Sequence, residues 1–277
     1  MSADHKILGG HREALAGPAI VIVIAVLMST PAEAAPIEAR FPEDETHGNL
    51  LVRSLAGETI GQGEMTQVIR DGDLVENRLV FRFKDGSFHD ENVTFSQLGV
   101  FTLMTYRLVQ RGPSFPEQLN VSIDRGTGEY TVRSKTRARE KEDVLAGQTD
   151  LPKDVYNGML IIVSKNLLGA DGIVSIFAFT PTPHVIKVQL LVRDTEPVQV
   201  GDRSSKATQY VFKPQIGMIQ QLLGKASGKL PAQFQYDCWI MVNETPSFVK
   251  FEGPLQLMGP IVRIEPVSLS NGDPAGR

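Results

Sequence analysis

Period-two alternation of apolar and polar residues runs through most of this chain and limits its fold more than any other feature. In "LVFRFKDG", Leu79, Phe81 and Phe83 fall on one side of an extended backbone, with Arg78, Arg82 and Lys84 on the other. Successive side chains of a strand point to opposite faces, so such a segment reads as a half-covered strand. "EYTVRSKT" sets Tyr130 and Val132 against Thr131, Arg133 and Lys135. "VIKVQLLV" sets Ile186, Val188, Leu190 and Val192 against Lys187 and Gln189. The turns "RDGD" at 70–73 and "KDGS" at 84–87 carry the Asp-Gly pair that tight hairpins use. One-sided alternation joined by hairpins predicts antiparallel pairing, with about a dozen strands in all.

One stretch departs from this pattern. "DLPKDVYNGMLIIVSKNLL" predicts a helix over about 151–168, capped by Asp150, with Pro152 in its first turn and Gly169 as its stop. Its apolar residues include Val155, Tyr156, Met159, Ile162 and Val163 and spread over well more than the usual stripe of about 100°. Such a helix needs cover on several sides, so the sheet is expected to curl around it. A second segment, 214–225, has Ile216, Ile219, Leu222 and Leu223 near helical spacing but is interrupted by Gly217, and remains ambiguous.

The ends of the chain read differently. Residues 14–28, "ALAGPAIVIVIAVLM", are the length of a signal-peptide core and short for a membrane span. Ala32 and Ala34 supply a small-x-small cleavage pattern, which places the cut between Ala34 and Ala35 and the mature chain in the periplasm. The weak positive flank leaves an uncut inner-membrane anchor at 14–28 as the alternative. Residues 35–46, with two prolines and many charges, and the tail 270–277 read as disordered, leaving one domain over 47–269. Removing two basic and three acidic residues with the leader takes the net charge from −4 to −3. That surface lacks the positive stripe that nucleic acid requires. The single cysteine, Cys238, shares a strand face with Phe234, Tyr236 and Ile240 and reads as a small buried side chain; an exported chain with one Cys has no internal disulfide.

Chemistry-bearing motifs are sparse. "FRFKDGSFHDENVTFSQ" at 81–97 holds His89, Asp90 and Glu91 in a row. On a strand, His89 and Glu91 share a face and Asp90 points away. Two such residues make half a metal site, and His184, in "TPTPHV", is a candidate third ligand. The favoured reading is structural, with no cofactor. No G-x-S-x-G elbow is present, and "GETIGQG" at 57–63 lacks the strand-loop-helix context of a nucleotide loop. "QRGPSFPEQ" at 110–118 is a stiff loop that sets Phe115 between prolines, where it can cap a core end or a cavity mouth.

Three stretches, "FKDGSFHDENVTFSQ", "QRGPSFP" and "FVKFEGPLQLMGPIVRIE", together with the apolar segment at 150–168, give the chain an outline that resembles exported bacterial proteins of the periplasmic lipoprotein-carrier and lipoprotein-receptor superfamily. The resemblance implies a half-barrel wrapped around a helix, with an apolar cavity for acyl chains and no shared catalytic motif. It makes the expected function non-catalytic binding or carriage of a lipid or other hydrophobic ligand. The expected lining is Phe81, Phe83, Met104, Tyr106, Phe115, Met159, Ile162 and Val163. The alternatives are a metal-dependent enzyme using His89 and Glu91, and a structural envelope protein that binds a partner through a sheet edge.

Overall fold

A computed structural model describes residues 35–137, 141–179, 182–200, 203–215, 236–255 and 259–267. The expected leader, the tail at 270–277 and most of the ambiguous segment 214–225 lie outside the described residues. Fourteen strands form one antiparallel sheet. Its first half is a meander of β1 (Thr46–Arg53), β2 (Thr59–Ile69), β3 (Leu74–Phe83), β4 (Phe88–Ser96), β5 (Thr102–Arg111), β6 (Glu117–Asp124), β7 (Glu129–Thr136) and β8 (Asp143–Gln148). Its second half is a meander of β9 (Gly172–Ala178), β10 (His184–Val200), β11 (Arg203–Pro214), β12 (Tyr236–Met241), β13 (Ser247–Pro254) and β14 (Ile261–Pro266). The halves join where β14 pairs with β1, from Leu50 opposite Pro266 to Arg53 opposite Arg263. The outermost strands, β8 and β9, do not pair, so the sheet is open.

The alternation seen in the sequence sorts the side chains as expected. Phe81 and Phe83 are buried on β3, Ile186, Val188 and Leu190 on β10, and Cys238 and Ile240 on β12. Hairpin turns at 70–73 and 84–87 join β2, β3 and β4. Of the glycines of "GETIGQG", Gly61 and Gly63 serve packing within β2, and Gly57 sits in the turn before it at φ +88°. A Cβ at Gly63 would stand 2.3 Å from Phe81 Cδ1, so only glycine lets the Phe81 ring lie across this strand.

The sheet curls strongly. β7 and β9 stand twelve places apart in strand order, which in a flat sheet is roughly 58 Å at the usual ~4.8 Å spacing. Yet the rings of Tyr130 on β7 and Phe177 on β9 have centroids 5.3 Å apart, and Tyr106 of β5 stacks on Phe179, just past β9, at 5.6 Å. One hydrophobic cluster accordingly takes residues from both halves, including Phe95, Leu103 and Val121 from the first and Val174, Leu190 and Ile240 from the second. The shape is half-barrel-like.

The segment that connects the halves runs through this core. Leu151, Val155, Tyr156, Met159, Ile162 and Val163 are all buried in the shared cluster. It is not the helix expected over 151–168. Only α1 (Leu160–Lys165) is helical, and Asp150 does not cap it: Met159 stands at the N-cap with no side-chain bond. Residues 154–156 instead lie along β9 as a short parallel bridge, with Tyr156 N–H donating to Ser175 O at 2.9 Å and Ser175 N–H to Asp154 O at 2.8 Å. Gly158 then turns the chain at φ +69°. The enclosed side chains of this strap are apolar or, like Asp154 and Asn157, polar with bonded partners, whether or not the backbone is helical. This strap also covers the outer edge of β9, which would otherwise offer unpaired backbone groups.

Residues 35–45, expected to be disordered, are held in place. Ile37 and Ala39 pack against the core. Ile37 N–H donates to Tyr156 Oη at 2.9 Å and Phe41 N–H to Asn166 Oδ1 at 2.8 Å. Glu43 is buried, accepts from Gln67 and pairs with Lys165 of α1. Every second residue from Ile37 to Glu43 carries an anchor, which outweighs the charged composition of the stretch.

Candidate functional site

The inner face of β4 carries His89, Glu91, Val93 and Phe95, as period two requires. His89 is buried between aromatic rings, with centroids 5.5 Å to Phe81 and 6.5 Å to Phe115. Gln110 Nε2 donates one hydrogen to Leu255 O at 3.1 Å, which identifies that end of the amide as nitrogen. Its other hydrogen goes to His89 Nδ1 at 2.8 Å. Nδ1 therefore accepts, and the neutral ring carries its proton on Nε2. Among the described residues that Nε2 and Gln110 Oε1 are buried without a hydrogen-bond partner.

Burial lowers the pKa of His89 from 6.5 to about 4, against a smaller opposite pull from Asp90. The unfolded chain takes up this proton near its ordinary pKa and the folded chain resists it until about 4, so stability falls as pH is lowered through that window. The loss attributable to His89 is about 2 kcal/mol by pH 5. Glu91, whose pKa burial raises, contributes with the opposite sign: stability falls as pH rises through its folded value. Urea unfolding of the native chain and of His89→Gln at pH 7 and pH 5 separates the two. The native chain is expected to lose about 2 kcal/mol more than the variant; equal losses would contradict a neutral buried imidazole.

Two residues along the same face, Glu91 accepts a hydrogen bond from Tyr106 Oη at 2.7 Å. Burial pushes the Glu91 carboxyl upward, with the Tyr106 bond opposing, and drives the Tyr106 hydroxyl well above its ordinary value. Gly158 of the strap sits over this pair: a Cβ there would lie 3.2 Å from Tyr106 Cε2 and 3.4 Å from the Glu91 carboxyl carbon. Tyr106, Phe179, Phe177 and Tyr130 form a chain of ring contacts at 5.6, 6.1 and 5.3 Å that bridges the two halves of the sheet. Glu91, Gly158, Phe179 and Tyr130 are each only partly buried.

The expected lining divides between two clusters. Tyr106, Met159, Ile162 and Val163 belong to the shared core; Phe81, Phe83 and Phe115 belong to a second cluster with Leu50, Val52, Val262 and Ile264. Phe115 drops from its loop edge-on to Phe83 at 5.7 Å, while Ser114 ties the loop to the β3–β4 turn through Ser87 Oγ and Asp85 Oδ2, both at 2.7 Å. Met104 is the exception. Thr94 pairs with Thr105 and Phe95 with Leu103, so Met104 is the extra residue of a bulge, and Leu103 takes the buried position instead.

The metal alternative is not assembled. His184 opens β10 opposite Ala178, with Nδ1 2.7 Å from Thr182 O. Among the described residues no three His, Cys, Asp or Glu side chains gather closely enough to hold an ion, so His184 does not join His89 and Glu91.

A second polar constellation had no signal in the sequence beyond a charge in an apolar segment. Asp154 of the strap is buried, accepts from Ser175 Oγ at 2.6 Å and pairs with Lys187 Nζ at 2.8 Å. Asn157, next in the strap, both donates to Phe177 O and accepts from Phe177 N–H.

The fold and this inner face define an open, curled antiparallel sheet with an internal strap and a ladder of aromatic rings beside the Glu91 carboxyl group. No protein-family model matches the chain, and no curated protein or solved structure matches it.

Proposed function

We propose that the chain is a periplasmic binding or carrier protein for a lipid or other hydrophobic small molecule, taken into the interior of the half-barrel. The observation that supports this most is the continuity between a fully apolar core and accessible apolar surface beside it. Met159 and Val163 are buried, while Leu160, Ile161, Phe179 and Tyr130, packed against the same cluster, stay partly accessible. An acyl chain laid there gains about 0.8 kcal/mol for each CH₂ removed from water. The strap, mostly irregular and tied to β9 and β10 at Asp154, Tyr156 and Asn157, is the element whose displacement enlarges the space. Carriage between membranes also accords with the exported, lipoprotein-carrier-like outline of the sequence.

A second reading, attachment to an envelope protein, has its own observation. β8 leaves its outer edge unpaired by the sheet, with Val144 50% and Leu145 40% exposed. Such an edge can accept a further strand.

A native mass spectrum of the protein recovered from the periplasm distinguishes them. The carrier reading expects a chain starting at Ala35 with a lipid-sized adduct that a fluorescent fatty acid displaces. A bare polypeptide that does not bind the fluorescent acid ends the carrier reading, and a stoichiometric protein partner favours the edge.

A further inference from the structure

The carboxyl group beneath Gly158 has no cation to meet among the described residues. Glu91 is enclosed deeply enough that its ionised form is disfavoured, and among the described residues the Tyr106 hydroxyl is its one hydrogen-bond donor. Among the described residues no Lys, Arg or His pairs with it. A buried carboxyl in this position has two stable outcomes: it keeps a proton, or it meets a cation. Beside it stand the Tyr106 and Phe179 rings, stacked at 5.6 Å, with Phe177 and Tyr130 continuing the ladder. Aromatic faces next to a carboxylate attract an organic cation through the ring quadrupole as well as through charge. Glu91 and Phe179 both retain accessible surface, so a ligand group can reach them. An anionic head group would meet no positive charge here, and a neutral one would gain only apolar contact and a single hydrogen bond.

We infer that Glu91, Tyr106 and Phe179, under the Gly158 turn, receive the amine or quaternary ammonium end of the ligand whose apolar part lies along the core. This rests on the proposed binding of a hydrophobic molecule and adds the chemistry of its head group.

The test uses three ten-carbon probes that differ only in their heads: decyltrimethylammonium, decanol and decanoate. Each is titrated into the purified native chain, Glu91→Gln and Phe179→Leu, below its micelle concentration, with displacement of N-phenyl-1-naphthylamine as the readout. The ammonium probe is expected to bind native protein about tenfold more tightly than decanol, with decanoate weakest. Glu91→Gln is expected to remove most of that preference, weakening the ammonium probe far more than decanol. Phe179→Leu, which keeps the apolar volume, is expected to weaken the ammonium probe several-fold and decanol little. If decanol and decanoate bind as well as the cation, or if both variants leave the order unchanged, the head-group assignment is wrong and the apolar-ligand reading stands. If no probe binds the native chain, both fall.

Discussion

Replacing Phe115 by Ala is expected to destabilise the protein by about 3–5 kcal/mol, the range for deleting a buried aromatic ring. That is far more than a loop substitution usually costs. Phe115 sits between the exposed residues Pro113 and Pro116 but is itself buried, packed edge-on against Phe83 and close to His89. The loop has no freedom to follow the missing ring, because Ser114 bonds to both Ser87 and Asp85. A hollow therefore remains, and its cost adds to the lost transfer energy. Pro116→Ala, one residue on, is expected to change stability by no more than about 0.5 kcal/mol. Urea midpoints for the two variants make the comparison; a Phe115→Ala loss below about 1 kcal/mol would show that the ring does not complete this cluster.

Asp154→Ala is the other large effect expected. Removing one partner of a buried ion pair costs about 3–5 kcal/mol, chiefly because the other partner is left uncompensated. Here the lower end of that range applies, since the Lys187 side chain is 29% exposed and can turn toward water. Ser175 cannot; it is fully buried and loses its acceptor. Asp154→Asn keeps an acceptor for Ser175 and is expected to cost about half as much. The same variant should also expose the strap. Limited proteolysis of Asp154→Ala is expected to cut first between 149 and 159, and protection there equal to the native chain would mean that the pair does not anchor the strap.

What the sequence disclosed, and what it hid, follows from the range of each interaction. Strand faces depend on neighbours two residues apart, so Leu79, Phe81 and Phe83, or His89, Glu91, Val93 and Phe95, could be sorted from the string alone. Met104 could not, because the bulge that displaces it is set by pairing with Thr94 and Phe95 on another strand. The curl of the sheet was legible through the strap, whose apolar residues need cover on several sides. Its secondary structure was misread. The dipeptide Asn157–Gly158 is a turn signal, and it outweighs the helical spacing around it. Nothing local marked the partner of Asp154, since Lys187 lies 33 residues away on β10. The Glu91–Tyr106 contact joins strands that are consecutive in the chain, but the ring stacked on Tyr106 is Phe179, which arrives from the far half of the sheet.

The seam between β1 and β14 governs the order of assembly. A chain emerging from synthesis or export can zip β1 to β8 as it appears, and β9 to β13 after that, by local hairpins alone. Throughout that time β1 presents a bare margin, and the two ribbons are linked only through the strap. The last strand to arrive locks one ribbon to the other, so a chain stopped before Ile261 holds nearly every hairpin of the native protein and still lacks the join that makes them a single sheet.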